Sequence, residues 1–149
     1  MSLKEKLQQD WKEALKSGDK FKANIISMAR AAVLQVEKTD GEKLDDSNVI
    51  EVLSREVKQR REALVEFEKG NRQDLVDKAN NEIKILMNYL PQQLTEDEIK
   101  SIINDVAKEV GANGMKDMGK VMKSVTPKTK GRADGSLVSK LVKEFLNSK

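Results

Sequence analysis

Six basic side chains in a short stretch near the carboxyl end are the residues of this sequence best suited to chemistry. They are Lys116, Lys120, Lys123, Lys128, Lys130 and Arg132. Between Gly111 and Arg132 only Asp117 opposes them. Lysine and arginine present charged N–H donors, which bind phosphate oxygens well. One-sided charge of this kind indicates contact with a polyanion, and its structural alternative is a solvated helix face. The six are therefore candidate nucleic-acid-binding residues.

The spacing of three of these lysines places them on one side of a helix. Lys116, Lys120 and Lys123 stand at i, i+4 and i+7, which lie on one helical face. The methionines at 115, 118 and 122 project from roughly the opposite side. We expect the lysines to face solvent while the methionines pack.

Glycines flank the last of the basic residues. Gly131 and Gly135 are predicted to form a turn, Asp134 to cap the helix that follows, and Gly111 to end an earlier helix. Backbone N–H groups of a glycine turn at a helix start can also hold a phosphate. A purely structural turn and a phosphate cradle are both open, and the structural interpretation is preferred.

Catalytic machinery is missing from the sequence. It contains no cysteine and no histidine, which removes thiolate nucleophiles, the usual general base and the commonest metal ligands. No Walker A loop or dinucleotide-binding glycine motif occurs. We predict no catalytic residue, no metal site and no cofactor, and hence a protein that acts by binding.

The apolar residues recur with helical periodicity, which predicts an all-α protein in two parts. Four longer helices occupy residues 1–90 and form an N-terminal bundle. Pro91 joins them to a C-terminal subdomain of three shorter helices in residues 91–149. The capping box Thr95 to Glu98 starts the fifth helix, and Thr126-Pro127 is expected to end the sixth. Residues 1–91 hold 17 basic and 17 acidic residues, so the net charge of +3 comes from the second part.

Two features of the longer helices have structural interpretations. The inward stripe predicted for the second helix consists of Phe21, Ile25, Met28, Ala29, Ala32 and Val36. In the third helix, Arg60 interrupts the apolar stripe and is expected to form an ion pair or to extend its stem over the core. The stretch 58–61 around it is basic, but neighbouring glutamates explain most of that charge.

The amino terminus suggests a location. Its first residues are charged and amphipathic, without the apolar core of a signal peptide. With no cysteine and no membrane span in the sequence, we expect a cytoplasmic protein and no membrane partner.

Ordered motifs over nearly the whole chain resemble the GatB/YqeY family. The matching segments are 89–94 (YLPQQL), 111–112, 115–122 (MKDMGKVM), 127–128 and 130–135 (KGRADG), with 56–60 and 72–76 upstream. The upstream segments resemble the stand-alone YqeY proteins. A similar domain forms the tail of the B subunit of the tRNA-dependent amidotransferase, where it helps to hold the tRNA. A related domain is appended to some bacterial glutaminyl-tRNA synthetases.

The resemblance implies a two-part all-helical fold and a link to tRNA-dependent amidation or aminoacylation. Carbon–nitrogen ligase activity with glutamine as amido donor belongs to other domains of that enzyme, which this sequence lacks. The leading hypothesis is an accessory protein that binds tRNA or another structured RNA, with no DNA partner expected. The alternative is a protein–protein adaptor that docks on an amidotransferase or an aminoacyl-tRNA synthetase. A free-standing enzyme is a third, weaker possibility.

Overall fold

A computed structural model describes residues 1–148 of the chain. Within that range it contains α-helices, one short 3₁₀ helix and no β-strand, which confirms the all-α prediction. The chain divides into two compact units, Met1–Leu90 and the residues from Pro91 onward. We describe each unit by itself.

The first unit consists of four helices. They are α1 (Leu3–Ser17), α2 (Lys20–Asp40), α3 (Asp46–Lys69) and α4 (Gln73–Met87). Ser2, Asp19 and Asp45 cap the first three, each accepting a hydrogen bond from a backbone N–H three residues on. α1 packs on α2 and α3 on α4, and α2 also contacts α3 and α4. The core between them includes Leu7, Ile26 and Leu53, which are almost fully buried.

The predicted inward stripe of α2 was wrong at two positions. Ile25 and Ala29 are buried, but Met28 is 53% exposed and Phe21 38% exposed. α2 has apolar residues on more than one side. The three neighbouring helices cover only the side that carries Ile26, Ala29 and Val33.

The second unit consists of three α-helices and the 3₁₀ turn. They are α5 (Glu96–Val110), the 3₁₀ helix (Met115–Asp117), α6 (Met118–Thr129) and α7 (Gly135–Asn147). A separate core joins them, with Ile99, Ile103, Val121 and Val142 completely buried.

Helix α6 differs from the prediction at both ends. Its first turn is 3₁₀ rather than α, and the α-helix continues through Pro127 to Thr129. Proline removes its own N–H donor, and its ring crowds the carbonyl four residues earlier. Pro127 lies in the exposed last turn, where water can reach the carbonyl group left without that donor. The turn is closed beyond it, because the Lys130 N–H donates to the Thr126 carbonyl at 2.9 Å.

Candidate functional site

The three lysines that were predicted to share a helical face are all exposed, and we call them the lysine stripe. Lys116 lies in the 3₁₀ turn, and Lys120 and Lys123 lie in α6; all three are exposed. None of them forms an ion pair with any residue between Met1 and Ser148. The stripe therefore presents its three charges to solvent.

The methionines opposite the stripe anchor it to the core. Met118 and Met122 pack against the buried cluster of the second unit. Met115, which was expected to pack with them, is 38% exposed because it precedes the α-helix. Met118 and Met122 therefore help Val121 and Val125, which are completely buried, to hold α6 on the core.

The other three basic residues follow at the end of α6 and in the turn after it. Lys128 is exposed and its Nζ lies 3.9 Å from Glu109 Oε1, with both side chains about half exposed. Lys130 is the exposed C-cap of α6. Arg132 is half-buried, and its Nε donates to the Gln92 carbonyl at 3.3 Å. These three and the lysine stripe together make up the basic surface, in which Arg132 also has a structural contact.

The turn before α7 is held by the segment that opens the second unit. Gly131 is buried and has φ of +76°, a conformation that favours glycine. Its carbonyl accepts from Gln93 Nε2 at 2.9 Å, and the same amide donates to the Pro91 carbonyl. The Leu94 N–H donates to the Arg132 carbonyl at 2.8 Å. Sequence analysis did not identify this role of Gln93, which lies 38 residues from its partner.

Backbone N–H groups around this turn are engaged within the chain, which favours its structural interpretation. Arg132 and Ala133 both donate to the Thr129 carbonyl, at 2.9 and 3.0 Å. The Asp134 side chain caps α7 by accepting from the Ser136 N–H. Gly135 has no positive φ and begins the helix.

The acidic residues in the first turn of α5 stabilise its amino-terminal end. Thr95 and Glu98 form a complete capping box, and Gly111 ends the helix in the left-handed conformation. The Thr95 backbone N–H, then its side chain, lower the pKa of Glu98, and Arg132 adds a smaller electrostatic contribution. These carboxylates lie where they complement the helix dipole.

The weaker basic stretch in α3 is accounted for by ion pairs. Arg60 Nε lies 2.7 Å from Glu82 Oε2, and its Nη1 lies 3.1 Å from Glu56 Oε2. All three side chains are largely buried, so Arg60 connects α3 to α4 rather than to a ligand.

Neither a membrane span nor a metal-ligand cluster is found in the part of the chain that the structure describes. None of its helices is long and apolar enough to cross a membrane. Across the same residues, no three His, Cys, Asp or Glu side chains are grouped to hold a metal ion.

Comparison with known proteins matches nearly the whole chain. A family described as Yqey-like protein matches residues 4–146. A protein of Pyrenophora tritici-repentis (strain Pt-1C-BFP) is 31% identical over 147 residues, which are 97% of this chain and 81% of that protein. A protein of Lachancea thermotolerans (strain ATCC 56472 / CBS 6340 / NRRL Y-8284) is 27% identical over 93% of this chain and 79% of its own length. Both are named "Altered inheritance of mitochondria protein 41, mitochondrial".

These names correct the predicted location. The sequence suggested a cytoplasmic protein, but curated relatives that align with more than nine-tenths of the chain are named as mitochondrial. Neither the absence of cysteine nor a charged amino terminus distinguishes the two compartments, so the predicted cytoplasmic location was wrong.

Proposed function

The chain belongs to the YqeY-like family, and we propose that it is an accessory protein that binds tRNA or another structured RNA through its basic surface. The observation that carries the proposal is the lysine stripe. Its three lysines are exposed, are spaced at i, i+4 and i+7, and form no ion pair with a described residue. Unneutralised cations on one face attract phosphates, and releasing counterions from the nucleic acid favours binding.

The aromatic residues favour recognition of phosphate and shape over recognition of single bases. Tyr89 is 5% exposed, and the ring of Trp11 is covered by the Arg30 guanidinium at 5.2 Å. All three phenylalanines lie in helices; Phe21 is exposed, and Phe67 and Phe145 are half-buried. Stacking platforms for single-stranded bases need accessible rings. A folded RNA, recognised by its backbone, fits this surface better.

The biological setting of this binding follows the family resemblance. We connect the chain to tRNA-dependent amidation or aminoacylation, in which a similar domain helps to hold the tRNA. In that setting the protein would present an RNA to an amidotransferase or aminoacyl-tRNA synthetase, and the transfer chemistry would belong to the partner. The rival function is an adaptor that docks on the same enzymes without touching RNA.

A salt titration with labelled tRNA tests the proposal. If three phosphates are neutralised, log K should fall with log salt at a slope of about −2 to −3. Between about 50 and 200 mM salt this is a loss of roughly 20- to 60-fold in affinity. Lys116→Gln, Lys120→Gln and Lys123→Gln together should weaken binding and flatten the slope by about the same two to three units. All structured RNAs should be affected by similar factors, since phosphate contacts carry no sequence information.

A matched control is a triple glutamine variant of exposed lysines in the first unit, at Lys12, Lys16 and Lys58. It makes the same change in net charge, so it should keep the parental slope if binding is local to the basic surface. A folded stripe variant that binds tRNA like the parent, at the same slope, would overturn the proposal. Binding of the enzyme partner that is insensitive to salt would then favour the adaptor.

A further inference from the structure

The outer face of α2 carries no exposed charged residue for about four turns. The exposed residues between positions 21 and 35 are Phe21, Asn24, Ser27, Met28, Ala31, Leu34 and Gln35. Charged residues make up 36% of the chain, so seven uncharged exposed positions in succession are not what the composition predicts. We call this set the neutral face.

The neighbouring helix α3 shows the contrast. Most of its exposed positions from 51 to 69 are charged: Glu51, Arg55, Lys58, Arg61, Glu62, Glu66, Glu68 and Lys69. In the matching part of α2 only Lys22 and Arg30 are charged, and both are half-buried. Arg30 is directed onto Trp11. The lack of charge is therefore a property of one face of one helix.

Three large apolar side chains are exposed on the neutral face, namely Phe21, Met28 and Leu34, and the last two are the most exposed. Met28 is 53% exposed and Leu34 is 54% exposed. Leu34 also separates two clefts, of about 290 Å³ beside α1 and about 510 Å³ beside the loop after α2. Exposed apolar side chains next to open clefts are typical of surfaces that another protein covers.

Five of the seven residues of the neutral face are arranged symmetrically about Ala31. Met28 stands three residues before Ala31 and Leu34 three residues after it, while Ser27 and Gln35 stand four residues away on either side. A second α2, antiparallel and crossing at Ala31, would place each Met28 opposite the Leu34 of the other copy. Alanine at the crossing point permits close approach of the two helices, whose separation depends on the side chains at the contact.

Charges at the two ends of the neutral face fit the same antiparallel register. Asp19 and Lys20 stand just before it, and Glu42 and Lys43, in the loop after α2, are separated from Ala31 by the same numbers of residues as Lys20 and Asp19. All four residues are exposed. The register would bring Lys20 towards Glu42 and Asp19 towards Lys43, so opposite charges meet at both ends. A parallel pairing would instead bring each charge to its like.

We propose that the neutral face binds a second copy of this chain, through an isologous antiparallel contact of the two α2 helices centred on Ala31. A two-fold axis requires a surface to be complementary to itself. The near-mirror sequence of the face and its terminal charges meet that requirement. The proposal concerns the first unit only and does not rest on RNA binding by the second.

Sedimentation equilibrium of the whole chain over a range of concentrations tests this dimer. The parent should show a dimer mass in the micromolar range. In Ala31→Glu the two introduced carboxylates, one from each copy, lie opposite each other across the two-fold axis. Because like charges repel, the dissociation constant of the dimer should rise by at least about 100-fold. Glutamate is a good helix former and position 31 is exposed, so circular dichroism should be unchanged. Mixing Ala31→Glu with Ala31→Arg should restore a dimer, whereas Gln59→Glu on exposed α3 should leave the parental dimer intact.

Cross-linking gives a second measurement, helped by the lack of native cysteine. Ala31→Cys lies next to the proposed axis and should form an interchain disulfide under mild oxidation, far faster than the exposed control Gln59→Cys. A parent that is monomeric up to about 1 mM, which would leave the face to another protein, overturns the proposal. The proposal is also overturned if Ala31→Glu does not weaken the dimer, or if the two cysteine variants cross-link equally fast.

Discussion

In the first unit Lys4 and Arg60 form ion pairs with carboxylates of other helices, whereas in the second unit the three lysines of the stripe are exposed and form no ion pair with a described residue. Lys4 lies 2.6 Å from Glu37 and Arg60 lies 2.7 Å from Glu82, all with mostly buried side chains. Lys128 and Glu109, in the second unit, are 3.9 Å apart and about half exposed. Basic side chains therefore join helices in the first unit, at Lys4 and Arg60, whereas those of the lysine stripe in the second unit are exposed to solvent. What separates the two uses is whether a carboxylate on a neighbouring helix lies within reach.

The largest expected effect comes from removing the buried cation of the first unit. Arg60→Ala leaves Glu56 and Glu82 without their partner in a largely buried setting, which should lower the free energy of unfolding by about 2–3 kcal/mol. Urea unfolding followed by fluorescence reports on this unit, because Trp11 is the sole tryptophan. Lys120→Ala, followed by circular dichroism, should change the free energy by no more than about 0.5 kcal/mol. Equal losses would remove the distinction between structural and available cations.

The turn that carries the last basic residues should show an intermediate effect. Gly131→Ala places a side chain in the left-handed region, at φ of +76°, and should cost about 1–2 kcal/mol. Gly135→Ala is the matched control, since the added Cβ meets nothing within 4 Å and the residue is helical. It should be neutral or stabilising by up to about 0.5 kcal/mol. Urea unfolding of both variants, followed by the helix signal in circular dichroism, gives the two free energies of unfolding. Similar losses of stability in both variants would mean that the positive φ of Gly131 does not cause the effect.

The smallest expected effect concerns the capping box of Thr95 and Glu98 at the start of α5. Thr95→Ala removes the cap of α5 and should cost about 1 kcal/mol. Glu98 has a pKa lowered mainly by the Thr95 N–H, so its contribution is present above the ordinary glutamate pKa and is lost as pH falls through the lowered value. Parent and Glu98→Gln should therefore differ most in thermal stability at neutral pH and converge in acid. A constant difference across pH would show that the carboxylate charge is not involved.

Local signals in the sequence predicted most helix ends, and tertiary contacts account for what it did not. The side chains of Ser2, Asp19 and Thr95 each accept a hydrogen bond from the backbone N–H three residues later. A short stretch of sequence is therefore enough to predict these caps. Arg60 was also interpretable, because a charge within an apolar stripe needs a partner. The pairing of Gln93 with Gly131 spans 38 residues and leaves no local pattern.

The exposure of Met28 shows a second limit. Periodicity identifies apolar positions on a helix, but it cannot say which of them the rest of the protein covers. In α2 the neighbouring helices cover Ile26 and leave Met28 to solvent. For the basic surface, the sequence supplied the residues and their spacing. It did not supply the contact that draws Arg132 towards Gln92.

The hydrogen bonds around Gly131 have a consequence for the entropy of binding. The turn is held by Gln93 and by the Leu94 N–H, so its backbone would lose little conformational freedom when a ligand arrives. The lysine stripe is different, because each lysine side chain gives up as much as about 1.5–2 kcal/mol of rotamer entropy when it is immobilised. Contacts that leave the lysine side chains mobile therefore cost the least. If the basic surface binds RNA as proposed, a rigid turn next to mobile lysine side chains would accommodate many phosphate spacings, with a modest gain in affinity from each contact.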